Sequence, residues 1–104
     1  MIVTMGETVP GREIVEILDT VKGNTVRTRF FGRDIMAALR NLVGGEVPEY
    51  TKLMAEAREQ AIDRMIADAR MKGADAVISF RVTTSMIMGG SAELLAYGTA
   101  VRLS

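Results

Sequence analysis

Between Pro48 and Gly73 apolar residues recur at helical spacing, whereas the stretches before and after this run alternate with a period close to two. Pro48 suits the first turn of a helix, where a missing N–H costs little, Glu49 suits the positive end of the helix dipole, and Gly73 supplies a stop. The predicted helix spans about 25 residues, roughly 37 Å at 1.5 Å per residue. In a chain of 104 residues, one long helix among strands predicts a single α+β domain over residues 1–104, a two-layer arrangement with the helix packed on an antiparallel sheet.

Alternation places the strands. Ile14, Val15, Ile17, Leu18 and Val21 make the run from Arg12 to Val21 apolar on both faces, as expected of a strand covered on both sides. Lys22-Gly23-Asn24-Thr25 reads as a turn and Val26 to Phe30 as the returning strand of an N-terminal hairpin. Val9-Pro10-Gly11 reads as another turn, preceded by a short strand over Ile2 to Met5. Ile35, Met36, Leu39, Leu42 and Val43 predict a short helix ended by Gly44-Gly45. After the long helix, Ala76 to Thr84 sets Ile78, Phe80 and Val82 on one face against Ser79, Arg81 and Thr83. The last strand sets Leu95, Tyr97, Thr99, Val101 and Leu103 against Ala96, Gly98, Ala100 and Arg102, and a face of Ala, Gly and Ala lets the helix, a neighbouring strand or a ligand approach closely.

The apolar stripe of the long helix turns as it rises: Tyr50, Leu53, Met54 and Ala57 cluster on one side, and Ile62, Met65, Ile66 and Ala69 roughly 100° further round. One sheet face is not expected to cover both, and a domain this small gains much from association, so a homo-oligomer is expected. Ile62, Ile66, the apolar Met86-Ile87-Met88 and Tyr97 are the candidate interface residues.

Composition excludes much chemistry. The sequence holds no His and no Cys, which removes the usual nucleophile, the neutral-pH proton shuttle and the commonest zinc and copper ligands. Thirteen basic residues balance thirteen acidic ones, arguing against a nucleic-acid partner or a membrane surface. No run approaches the roughly 20 apolar residues of a membrane span, so a cytoplasmic protein is expected. Locally the charges separate: Lys22, Arg27, Arg29, Arg33 and Arg40 meet only Asp34 between positions 20 and 45, and positions 46–68 are net acidic. Catalysis would have to rest on carboxylates, Tyr, Lys or Arg, with no pair marked out by context, so no enzyme activity is expected; a carboxylate site shared between subunits is the enzymatic alternative.

Several short pieces together resemble the YbjQ family: Val9-Pro10-Gly11-Arg12-Glu13-Ile14, Gly32-Arg33-Asp34-Ile35, Arg40-Asn41-Leu42-Val43-Gly44-Gly45-Glu46, Tyr50-Thr51, Gly73-Ala74-Asp75-Ala76-Val77 and Tyr97-Gly98-Thr99-Ala100-Val101. The resemblance extends over nearly the whole chain. It implies a fold similar to the dodecin subunit, a ring-forming oligomer that looks pentameric, and a function for which heavy-metal binding has been suggested.

A soft ion such as Cu(I) could use Met86 and Met88, whose spacing puts both thioethers on one face of an extended segment, with Glu93 a weak third candidate, yet Met is equally a filler of irregular gaps. No metal site and no cofactor are expected. The dodecin likeness raises flavin, but there is no Trp to stack its ring. A small anionic ligand could be held by Arg29, Arg33 and the N–H groups at Gly32-Arg33-Asp34, although Asp34 can satisfy those N–H groups itself. Gly89-Gly90 lacks the continuation of a phosphate loop and reads as a hairpin connection.

Overall fold

The computed structural model describes residues 1–27, 48–87 and 91–104. Four strands form one sheet: β1 (Ile2–Val3), β2 (Ile14–Arg27), β3 (Ala76–Ile87) and β4 (Ser91–Leu103), in the spatial order β1-β3-β4-β2. The helix α1 (Pro48–Met71) lies across one face of it. The α+β layering is as expected, but the sheet is mixed, because β1 runs parallel to β3 while β3 and β2 each run antiparallel to β4.

The N-terminal hairpin is corrected. Lys22-Gly23-Asn24-Thr25 does not turn; β2 is one strand of 14 residues that passes through it and pairs with β4, in unbroken register from Asp19↔Ala100 to Arg27↔Ala92. Gly23 is there for space. A Cβ on it would collide with the backbone of Ala61 and Met65 and with the side chain of Arg64, so its missing side chain lets α1 rest on the sheet. The predicted short helix, Arg29, Arg33 and Asp34 lie outside the described residues.

The core matches that close approach. Ala57, Ala61, Met65 and Ala69 recur every fourth residue on α1, are fully buried, and pack on Val21, Val77, Leu94, Ala96 and Ala100. Met54, Ile62 and Ile66 flank the row, half-buried against the same core. One sheet face therefore takes up residues from both parts of the helical stripe, Met54 and Ala57 from the first and Ile62, Met65, Ile66 and Ala69 from the second.

The helix ends in a Schellman arrangement: Ala74 N–H donates to Ala69 O at 3.1 Å, Gly73 N–H to Arg70 O at 3.0 Å, and Gly73 adopts φ +76°. At the other turn, Arg12 N–H donates to Val9 O at 3.1 Å and Gly11 adopts φ +80°, as a Pro-Gly centre favours.

In β3 the expected alternation is interrupted. The register against β4 slips between Ile78 and Arg81, where Ser79 adopts φ +53°. Val77, Phe80 and Val82 therefore face α1, while Ile78 turns to the opposite face and joins Val9, Ala76, Val101 and Leu103 in a second small core, with Ile14 packed beside it. Gly98 sits across from the slip: a Cβ on it would lie 2.5 Å from Val77 Cγ1 and 3.0 Å from Ile78 O. The close approach at this end of the small-residue face is thus made by β3, and by the helix at Ala96 and Ala100.

Candidate binding surfaces

Among the described residues, the sheet face away from α1 is roofed by the Val9 turn at the end where Ala76, Val101 and Leu103 lie, and by nothing further along. Towards its other end the register aligns Lys22, Tyr97 and Arg81 across three strands, and Asn24, Leu95 and Thr83 in the next row. Residues directly opposite in an antiparallel pair share a face, so a cation stands on each side of the half-buried Tyr97. Arg81 is partly committed, its Nη1 donating to Met5 O at 3.0 Å and Phe80 O at 2.8 Å. Lys22, Asn24, Glu93 and Leu95 line a depression of about 340 Å³ on this face.

A second depression, about 450 Å³, lies beside α1 where it meets the end of β2. Arg27 Nη2 donates to Gln60 Oε1 at 2.9 Å there, and Glu56, Glu59 and Asp63 complete the rim. Sequence patterning did not single out Arg27, whose only signal was membership of the basic block.

The soft-metal candidates do not converge. Met86 pairs with Ala92 on the side of the sheet that bears α1, whereas Glu93 pairs with Ser85 and Val26 on the opposite side. Met86 is 64% exposed, and Met88 and the side chain of Ile87 lie outside the described residues. Among the described residues no three or more Asp or Glu gather where they could hold a metal ion, and the whole chain lacks imidazole and thiolate. Zinc and Cu(II) sites are built from those donors, so the residues present do not fit such an ion. Among the described residues no helix is long and apolar enough to cross a membrane.

Among the described residues no strand lies beyond β2, and this outer edge is divided. Along Thr20 to Asn24 side chains of α1 and of Lys72 just after it reach its outward main-chain groups: Lys72 Nζ donates to Thr20 O at 3.4 Å, Asp68 Oδ2 accepts from Lys22 N–H at 3.3 Å, and Arg64 Nη1 donates to Asn24 O at 2.6 Å. Lys72 also pairs with Asp68 at 3.3 Å and with Asp19 at 3.6 Å, and Asp19 Oδ1 accepts from Thr20 N–H at 2.8 Å. Before Asp19 the helix has ended. There Val15 is 58% and Ile17 69% exposed, and two register slips loosen the pairing with β4. Of the other candidate interface residues, Ile62 and Ile66 contact the intramolecular core.

A family profile described as "Putative heavy-metal-binding", that of YbjQ, matches residues 1–104. Proteins named UPF0145 are similar along their length: one from Archaeoglobus fulgidus is 58% identical over 99% of this chain and 95% of its own, and one from Shewanella frigidimarina 53% identical over 99% and 96%. In fold, the chain is similar to a crystal structure of a protein of unknown function from the DUF74 family of Pediococcus pentosaceus, with a TM-score of 0.68 at 15% identity over 100% of this chain and 98% of that one.

Proposed function

The chain belongs to the YbjQ family, and from that premise we propose that it works as a self-assembling binding or scaffold protein, a closed homo-oligomer of five copies by the family resemblance, in the cytoplasm. The observation that carries this reading is the apolar surface exposed on the sheet edges: Ile2 and Met5 beside β1, and Val15 and Ile17 on β2. Each large apolar side chain left in water forgoes about 1.5–3 kcal/mol that burial would return.

In such a ring identical side chains recur around an axis, so single groups of modest affinity act together. Among the described residues, Lys22 and Arg81 on either side of Tyr97 are the groups suited to a small anionic ligand; the sequence candidates Arg29, Arg33 and Asp34 lie outside the described residues, and of these the two arginines carry the charge an anion needs. The reading is one of binding, not of catalysis. Light scattering at micromolar protein concentration tests it: five protomer masses are expected, and a single protomer mass would contradict it.

The family's description favours a second reading, soft-metal binding, for which Met86, Met88 and Glu93 are the available donors. Equilibrium dialysis against Cu(I) under anaerobic conditions, and against zinc and Cu(II), followed by elemental analysis, separates the two. Well under one ion per protomer is expected, and one tightly held ion per protomer would reverse the order of the readings.

A further inference from the structure

The exposed apolar residues at the two edges of the sheet lie at one level. Following the register across the sheet, Ile2 stands opposite Ala76, Ala76 opposite Val101, and Val101 opposite Ile17. This row begins on the outer edge of β1 and ends on the stretch of β2 that the helix leaves uncovered.

Both ends of the row carry main-chain groups directed outward. Thr4 N–H donates to Val77 O at 2.9 Å and Thr4 O accepts from Phe80 N–H at 3.0 Å, so Thr4 bonds inward and strand alternation directs the N–H and C=O of Val3 outward. On β2, Lys72 and the α1 side chains Asp68 and Arg64 occupy outward groups at Thr20, Lys22 and Asn24, and among the described residues no side chain reaches the outer edge of Ile14–Leu18. A strand edge left bare in this way is a template for another strand. An edge occupied by Arg, Asp and Lys is protected from one.

Resting on the self-assembly reading above, we propose that a second copy of this chain docks by setting its β1 edge, at Ile2–Val3, against the Ile14–Leu18 edge of β2, so that the sheet continues from one subunit to the next. Two properties select a second copy as the occupant. The two edges are different and face opposite ways, which makes the contact head-to-tail. They also stand at the same level, so rotation about an axis parallel to the strands brings one edge to the other without a rise, and a head-to-tail contact without a rise closes into a ring. Because β1 and β2 both run opposite to β4, the new junction is a parallel pair. Ile2 then packs near Val15 and Ile17 of the adjoining copy, and the capped stretch Thr20–Asn24 stays out of the junction.

The chain has no cysteine, so introduced thiols are the only ones present. Ile2→Cys is combined in turn with Val15→Cys and with Ile17→Cys, the native mass is checked, and the protein is oxidised. Within one protomer the two edges are three strand spacings apart, about 14 Å, beyond the roughly 7 Å that a disulfide can bridge between Cα atoms. The expected result is a reductant-sensitive ladder of covalent multimers up to the size of the native assembly for at least one pair, and none when Ile2→Cys is combined with Val26→Cys. Ile17→Lys, checked for retained helicity by circular dichroism, is expected to weaken assembly at least tenfold, and Val26→Lys to leave it unchanged. A native oligomer that gives no ladder with either pair, or that survives Ile17→Lys intact, overturns this docking mode while leaving self-assembly in place. A wild-type protein that is monomeric at micromolar concentration overturns the self-assembly reading itself.

Discussion

β2 is two strands in one. From Thr20 to Arg27 it holds an unbroken register with β4, buries Val21, Gly23 and Thr25 under α1, and has its outer edge occupied by Arg64, Asp68 and Lys72. From Ile14 to Asp19 the register slips twice, the helix is absent, and Val15 and Ile17 stand in solvent. The more apolar stretch is the one left exposed: four of the six residues from Ile14 to Asp19 are large and apolar, against two of the eight from Thr20 to Arg27, so apolar content alone would bury the wrong end. The helix separates them, because it ends at the level of Thr20 and its charged side chains reach only as far as it does. Where a helix stops, a sheet edge is left bare, and that is where an assembling surface can form.

The helix-covered stretch should be the more sensitive to substitution. Gly23→Val is expected to have the largest effect, a loss of about 3 kcal/mol or failure to fold, because the new side chain meets helix backbone that cannot move aside. Chemical denaturation measures it, and a loss below about 1 kcal/mol would show that α1 does not rest on β2 as described. Gly98→Ala is expected to cost less, about 2 kcal/mol, since the nearest atom is Val77 Cγ1, the tip of a side chain, with Ile78 O behind it.

Thr25→Val should act in the opposite direction. The Thr25 hydroxyl is buried facing the helix without a hydrogen-bond partner among the described residues, and replacing it with a methyl group of similar size is expected to add about 1 kcal/mol to stability. Asp68→Ala should change stability least, by less than about 1 kcal/mol, because the contacts it makes are partly exposed. Its informative effect lies elsewhere: with the cap weakened, Lys22 N–H becomes available, and slow growth of larger species on standing would confirm that the caps guard the edge.

The helix was legible from Pro48 and Gly73, and the Val9-Pro10-Gly11 turn from its dipeptide, because these residues act locally through their fixed or permissive φ. Gly23 was misread since a glycine beside an asparagine signals a turn equally well when its real purpose is to make room for a helix about 40 residues away. The bulge at Ser79 left no trace, as Ile78-Ser79-Phe80-Arg81-Val82 alternates without a break and carries no glycine to announce a positive φ. Arg27 and the edge caps could not be found by patterning, because Gln60, Arg64, Asp68 and Lys72 acquire their partners only once α1 lies on β2. The absence of His and Cys was plain from the start and still bears most strongly on which ligands fit.

Residue-resolved amide hydrogen exchange on the wild-type assembly compares the two stretches of β2 directly. In a bare edge strand, amides bonded inward to β4 are protected and the alternate, outward ones exchange freely. The account predicts that this alternation is absent from Ile14–Leu18, where a neighbouring copy occupies the edge, and that the outward amide of Val3 is protected with it. Fast exchange at Val3 and at alternate residues between Ile14 and Leu18, in a protein that is oligomeric in the same tube, would contradict it.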